Sequence, residues 1–211
     1  MKNKIYLEQM ELGGMANFSY LIGDLSCGQA AVVDPNDDTA QIEQAAAKAG
    51  LKVTSVLLTH GHYDHTGGLK YYSDKMHLPV FLSKDEFLLY IPACKTLQRI
   101  SDQAQLTTGT IPITSLSTPG HTPGCMCFYV EGNLFTGDTL FVEAIGRTDL
   151  PGGSARALYK SLQKIKQLPD ETIIWPGHNY GDSTRERLGN LKRTNPFLAC
   201  QTEAEFLDLT G

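Results

Sequence analysis

The stretch of sequence that decides the fold is residues 53–68, which read VTSVLLTHGHYDHTGG. Its first part, Val53 to Leu58, carries no charged side chain, as expected for a strand that is buried on both faces. Directly after it, three histidines and one aspartate fall between His60 and His65. Neighbouring glycines let the backbone bend tightly at this place. We therefore expect a buried strand that delivers a group of polar side chains to the loop at its end.

The residue types in this loop are those that bind transition metals. Imidazole nitrogens and carboxylate oxygens are ligands that zinc, iron and manganese accept. Residues two apart in an extended segment point the same way, so His60 and His62 are placed to bind one ion together. Asp64 and His65 follow as the chain turns toward a helix, and are placed to bind a second ion. A histidine-rich surface patch is the alternative, but a strand-end cluster flanked by glycines fits it poorly.

Three later residues occupy similar local settings. His121, Asp138 and His178 each follow a glycine directly and adjoin an apolar strand. Loops at strand ends, held by a rigid sheet, are where binding groups are usually placed. Taken alone, Asp138 is equally consistent with a turn residue, and His178 with a residue at the start of a helix. The histidine cluster that precedes them favours one shared metal site.

The rest of the chain alternates short strands with helices. One helix is expected to begin at Asp37 or Asp38, a second to cover Ser154–Gln167, and the region from Thr184 onward to be helical or irregular. No linker divides residues 1–211, so one domain is predicted, a β-sandwich covered by helices on both outer faces. The other strands are expected over Ile5–Met10, Phe18–Ile22, Ala30–Val33, Val80–Leu82, Ile111–Leu116, Met126–Val130, Asn133–Thr136 and Ile173–Trp175.

The composition narrows the classes of function. The 211 residues carry 18 basic and 23 acidic side chains, a formal net charge of −5. A mildly acidic chain is unsuited to coating DNA or an anionic membrane, so neither is an expected partner. We expect no signal peptide and no membrane span, because no apolar run reaches about 18 residues. The five cysteines lack paired spacing, which predicts reduced thiols and a cytoplasmic protein. Cys125 and Cys127 are expected to be buried on one strand.

The order of four motifs resembles the metallo-β-lactamase fold superfamily, most closely its glyoxalase II-like branch. The motifs are THGHYDH at 59–65, GHTPG at 120–124, TGDTLF at 136–141 and PGHNY at 176–180. The resemblance covers nearly the whole chain. It implies an α/β fold, the four-layer αβ/βα sandwich, with two mixed sheets flanked by helices and the site along one edge of the sheets.

The resemblance also implies a dinuclear metal site, with zinc, iron or manganese as the metal and zinc as the first expectation. The first ion would be bound by His60, His62 and His121, and the second by Asp64, His65 and His178. Asp138 would bridge both ions.

Such a site implies a hydrolase. A water held between two ions about 3.5–4 Å apart loses a proton near neutral pH, and the resulting hydroxide attacks a carbonyl. Asp64 is expected to orient this hydroxide, and Asp138 to set the separation of the ions. A thioester suits the site because a thiolate leaves without the proton that an amide nitrogen needs. In glyoxalase II proteins a basic residue and a tyrosine help to hold the glutathione part of a thioester, and Arg147 and Tyr180 occupy similar places here.

Two other readings stay open. The stretch from Pro119 to Cys125, with Gly146–Asp149 and Thr194–Pro196, also resembles persulfide dioxygenases of the same superfamily. Those enzymes use one iron, which His60, His121 and Asp138 would bind here. The other reading is a non-catalytic metal-binding module, which fits less well, because purely structural zinc sites are usually four-coordinate and closed.

Overall fold

The structure, a computed structural model, describes residues 5–87, 89 and 93–211. Its strands form two six-stranded sheets. The first sheet contains β1 Ile5–Leu12, β2 Asn17–Asp24, β3 Gln29–Val33, β4 Lys52–Leu57, β5 Val80–Ser83 and β6 Leu97–Ile100, in that order. The second sheet contains β7 Gln105–Thr108, β8 Ile111–Ser117, β9 Met126–Val130, β10 Asn133–Gly137, β11 Ile173–Pro176 and β12 Glu186–Arg187, also side by side in chain order.

Both sheets are mixed. In the first, β1, β2 and β3 pair antiparallel, whereas β3 to β6 pair parallel. In the second, only the β10–β11 pair is parallel. Parallel neighbours require a crossover connection. The helices are α1 Thr39–Lys48, α2 Tyr63–Thr66, α3 Ala155–Lys166, α4 Leu188–Thr194, α5 Pro196–Ala199 and α6 Glu203–Thr210, together with a π-helical turn over Lys70–Lys75.

Three apolar clusters separate four layers, which confirms the predicted αβ/βα sandwich. Side chains alternate in direction along a strand, so neighbouring residues of β3 enter different clusters. Val32 packs with Ile42 of α1 on the outer face of the first sheet. Val33 packs with Phe128 of β9 between the sheets. On the outer face of the second sheet, Leu134 packs in a cluster that includes residues of α3, α4, α5 and α6.

Local signals in the sequence explain the ends of the two longer helices. The Asp38 side chain accepts a hydrogen bond from the Gln41 amide at 3.1 Å and caps α1, as expected. Ser154 caps α3 in the same way, accepting from the Ala157 amide at 3.2 Å. The two predicted helices are therefore confirmed.

The structure adds elements that the sequence pattern did not indicate. β6 and β7 are short edge strands with mostly exposed or half-buried side chains, so they lack a buried apolar face that would reveal them. The region after Thr184 is not helical from its start, because the two-residue strand β12 precedes α4. Cys125 and Cys127 are buried free thiols, as expected. Within the described part of the chain, no helix has the length and apolar character needed to cross a membrane.

Candidate metal centre

The seven candidate ligands lie at one edge of the sandwich, where strands of both sheets end. The first sheet supplies four of them after β4, and the second sheet supplies three after β8, β10 and β11. Backbone hydrogen bonds join the two sheets at this edge. The Met126 amide donates to the Thr59 carbonyl at 2.8 Å, and the Phe18 amide donates to the Gly177 carbonyl at 2.8 Å. The ligands from the first sheet are His60, His62, Asp64 and His65, and those from the second are His121, Asp138 and His178.

The first group consists of His60, His62 and His121. One nitrogen of each ring lies within 4.8 Å of the corresponding nitrogens of the other two. His121 Nε2 is 2.9 Å from His62 Nδ1. The Nε2 atom of His60 is buried and has no hydrogen-bond partner among the described residues. A buried polar atom without a partner is costly, and a cation bound at this point would satisfy it.

The second group consists of Asp64, His65 and His178. The Nε2 atoms of the two histidines are 3.2 Å apart. Each of them lies 3.5 Å from Asp64 Oδ2. Three ligand atoms that point at one another in this way match the donor set of a transition-metal site.

Asp138 contacts both groups. Its Oδ2 lies 3.4 Å from His121 Nε2 of the first group and 3.4 Å from His178 Nε2 of the second. Its Oδ1 lies 3.4 Å from His65 Nε2. The carboxylate therefore stands where a bridging ligand between two ions would stand, as the resemblance implies.

The ionisation of His60, His62 and His65 differs between the two groups. Burial, and then the charge of His65, lower the pKa of His60 well below its usual range. Burial, and then the charge of His121, lower the pKa of His62 to about 4. Burial acts the same way on His65, but Asp138 and the hydrogen bond to Asp34 outweigh it and raise its pKa to about 9. In the metal-free protein, His60 and His62 of the first group are therefore neutral near pH 7 and ready to bind a cation, whereas His65 of the second group holds a proton.

The carboxylate of Asp138 is held in its charged form. Burial favours its neutral form, but the charge of His65 and a hydrogen bond from His178 lower the pKa of Asp138 well below its usual range. The centre thus combines a permanent anion with imidazole rings, a suitable donor set for a divalent metal.

A second layer of contacts orients the rings. His121 Nδ1 lies 2.7 Å from the Arg147 carbonyl oxygen, and His178 Nδ1 lies 2.9 Å from the Met15 carbonyl oxygen. A carbonyl only accepts, so each Nδ1 carries a proton and Nε2 is the nitrogen that faces the centre.

Sequence reasoning missed Asp34, which is buried at the end of β3. Its Oδ2 accepts a hydrogen bond from Thr59 Oγ1 at 2.6 Å and lies 3.1 Å from His65 Nδ1. Its Oδ1 accepts from the Thr59 amide at 2.7 Å. Asp34 thus orients a candidate ligand from the face opposite the centre. An acidic residue directly after a buried strand is the signal that could have indicated it.

A cavity of about 550 Å³ opens onto the candidate ligands. Phe141, Ile145 and Leu150 supply an apolar wall, and the imidazole and carboxylate groups supply a polar floor. Tyr180 lines the same cavity, is 47% exposed, and stacks on the His178 ring with centroids 4.7 Å apart. The cavity can therefore hold a small molecule with an apolar part, and can place a polar bond against the ligands.

The two residues predicted to bind substrate differ in their settings. Tyr180 faces the cavity, so it is not a core residue. Arg147 also lines the cavity, but its guanidinium donates to both carboxylate oxygens of Asp149, at 2.7 and 2.6 Å. Both side chains of this pair are mostly exposed at the rim. Substrate binding by either residue stays a prediction.

The model of the metallo-beta-lactamase superfamily matches residues 12–178. The chain belongs to this superfamily. Several relatives have names that state an activity, and two of them name different reactions. The probable polyketide biosynthesis zinc-dependent hydrolase BaeB of Bacillus velezensis is 31% identical over 194 residues, which is 92% of this chain and 86% of that protein. The human mitochondrial persulfide dioxygenase ETHE1 is 32% identical over 211 residues, 98% of this chain and 81% of that protein.

A solved structure of the superfamily contains metal. It is the protein TTHA1623 in a di-iron-bound form, with a TM-score of 0.78 and 30% identity over 90% of this chain and 100% of that chain. The predicted superfamily and its fold are confirmed. The chain therefore belongs to a superfamily of metal-dependent hydrolases and carries clusters of metal-binding residue types. The glyoxalase II-like branch and the identity of the metal stay predictions.

Proposed function

We propose that this chain is a dinuclear metallo-hydrolase that cleaves small thioesters, with the hydroxyacylglutathione type as its substrate class. The observation that carries the proposal is the complete second group, in which His65, His178 and Asp64 converge within 3.5 Å. A single-ion site needs only the first group and Asp138. The second group gives a second ion a full donor set of its own.

The metals would be held by the two groups described above, with Asp138 between them. Bound there, two divalent ions would supply a Lewis acid and lower the pKa of a bound water to about 7. Zinc is the first expectation, consistent with the name of the BaeB relative, and the di-iron form of TTHA1623 makes iron the next metal to test.

The chain's own residues would orient the reacting groups. The Asn17 side-chain amide donates to Asp64 Oδ2 at 2.9 Å, which fixes the carboxylate that would align the attacking water. Phe141 and Ile145 would cover the acyl group and exclude bulk water, and Tyr180 would contact the thiol part at the rim. No side chain has to protonate a leaving thiolate, in agreement with an apolar cavity wall.

A second candidate function is persulfide oxidation with one iron, and the ETHE1 relative is the observation that favours it. In that case His60, His121 and Asp138 would be the ligands. The two candidates differ in metal stoichiometry and in their dependence on oxygen.

The test is metal content, measured by elemental analysis on protein purified without added metal or chelator. We expect about two ions per chain, together with hydrolysis of a hydroxyacylglutathione followed by release of free thiol. One iron per chain, with oxygen consumed in the presence of glutathione persulfide, would overturn the proposal in favour of the dioxygenase. The expected cytoplasmic location, and the absence of nucleic-acid and membrane partners, also stay predictions.

A further inference from the structure

Glu86 is a buried carboxylate beside the first metal group, and no step of the proposed function uses it. It follows β5 in the loop after Ser83 and is only 3% exposed. Within the described ranges 5–87, 89 and 93–211, it forms no ion pair with a lysine, arginine or histidine. Burying an unpaired charge is costly, so this position requires an explanation.

The contacts of Glu86 join the two loops that carry the first metal group. Its Oε2 accepts from the Gly61 amide at 3.2 Å, and Gly61 stands between His60 and His62. The same oxygen accepts from Thr122 Oγ1 at 2.7 Å, and Thr122 follows His121.

The packing around Glu86 is as close as its hydrogen bonding. A Cβ added at Gly124 would lie 2.3 Å from Glu86 Cα, so the loop of His121 rests directly on this backbone. The other carboxylate oxygen, Oε1, accepts from the Phe87 amide at 2.8 Å. The two hydrogen bonds to Oε2 and this close packing hold the loop of Glu86 against loops from both sheets.

We propose that Glu86 is a positioning residue for the first metal. Its carboxylate holds the His60–His62 loop against the His121 loop, and its negative charge favours a cation between them. Residues that hydrogen-bond the ligand loops without touching the metal affect metal affinity in two ways. They orient the ligands, and they supply a charge that the ion compensates. The inference rests on the first metal site of the proposed function, but not on the identity of the substrate.

The test is a titration of metal-free protein with Zn²⁺ against a chromophoric chelator, combined with melting temperatures with and without Zn²⁺. We expect Glu86→Ala to weaken binding of one of the two ions by about 10- to 100-fold. We expect Glu86→Gln, which keeps an accepting oxygen but loses the charge, to fall between Glu86→Ala and the unsubstituted protein. The rise in melting temperature on adding Zn²⁺ should shrink in the same order.

The matched control is Glu43→Ala, which removes a half-buried carboxylate from α1, away from the centre. This variant should bind Zn²⁺ like the unsubstituted protein, even if its stability changes. If Glu86→Ala lowers the melting temperature equally with and without Zn²⁺, its role is structural only and the proposal is wrong.

If Glu86→Ala does not fold, Thr122→Val replaces it, because it removes one of the loop contacts and keeps the charge. Unchanged affinity in Thr122→Val would then contradict the proposal, and a severalfold loss would support it.

The same titration separates this inference from the proposed function. An unsubstituted protein that binds no Zn²⁺, and no Fe²⁺ in a parallel titration, would contradict the metal site itself. An unsubstituted protein that binds two ions, beside a Glu86→Ala variant of equal affinity, would contradict only the role of Glu86.

Discussion

At the scale of the residue, the centre is organised by what each histidine does with its second nitrogen. The Nδ1 atoms of His121 and His178 face carbonyl oxygens, and Nδ1 of His65 faces Asp34. Each contact fixes a ring orientation and directs Nε2 inward. Ring orientation, more than the presence of histidine, is what turns these side chains into a set of ligands.

The first prediction concerns Asp138, the residue that contacts both groups. We expect Asp138→Ala to fold, to bind fewer than two ions per chain, and to lose turnover by at least about 100-fold, because both groups lose their shared anion. Elemental analysis, circular dichroism and a thioester assay measure the three effects. Asp149→Ala, which removes an exposed aspartate at the rim, is the control and should keep its metal. A variant that loses its fold along with its metal would point instead to a structural metal-binding module.

The second prediction concerns the pH dependence of the metal-free protein. The pKa of His65 is raised to about 9 by Asp138 and Asp34, so the folded state retains a proton that the unfolded chain releases near pH 6.5. This stabilisation is complete below pH 6.5 and is lost as the pH rises through about 9. Over that window, the free energy of unfolding should fall by up to about 1.4 kcal/mol per pH unit.

Urea unfolding of chelator-treated protein between pH 6.5 and 9 measures this slope. In His65→Gln the decline should become clearly shallower, because no proton is held at that position. The remaining decline would come from His178, where burial lowers the pKa but the hydrogen bond to Asp138 and the charge of Asp138 outweigh burial and raise it. The lowered pKa values of His60 and His62 act in the opposite sense and cost stability as the pH falls below about 6.5. A slope above pH 6.5 that is the same in both proteins would assign it to another group.

At the scale of the element, the centre depends on how closely two strand ends approach. Gly137 ends β10 with φ of +48°, a conformation that L side chains rarely adopt. A Cβ at this position would lie 2.2 Å from Thr59 Oγ1, just after β4. Thr59 in turn contacts Asp34 and His60. The lack of a side chain at Gly137 thus lets β10 reach the residue that organises the loop after β4.

The third prediction follows from this approach. We expect Gly137→Ala to lose about 2–4 kcal/mol of stability, since backbone strain and a steric clash with Thr59 add together. Its matched control is Gly132→Ala, which has φ of +81° but nothing within 4 Å of the added Cβ. That control should lose only the strain, about 1 kcal/mol. Urea unfolding compares the two, and equal losses would show that the contact with Thr59 does not contribute.

At the scale of the whole molecule, the parts of the fold that could be predicted are those with a buried face. Val53–Leu58 was recognisable because it lacks charge, and Ser154–Gln167 because its apolar residues recur with helical spacing. β6 and β7 were not recognisable, because edge strands with half-exposed side chains carry no such pattern. The pattern of strands and helices predicted a sandwich covered by helices on both outer faces. The mixed character of the two sheets came from the resemblance, because periodicity alone does not indicate how strands pair.

The candidate site also has residues that could be predicted from the sequence and residues that could not. The candidate ligands between His60 and His65 could be predicted because three histidines within six positions are a dense local signal. The other three candidates could be predicted from the order of the motifs that follow. Asp34 and Glu86 were not assigned, because their roles arise from contacts between segments far apart in sequence. The Arg147 carbonyl that orients His121 is a backbone atom, so no residue type indicates it.

The division of the ligands between two sheets also has a consequence for synthesis. Translation proceeds from the N-terminus, so the four ligands from His60 to His65 leave the ribosome with neither group complete. The first group becomes complete only when His121 has emerged, and the second only with His178. With metal bound as proposed, the nascent chain would display a partial chelator for much of its elongation, and full loading with metal would have to follow the docking of its second half.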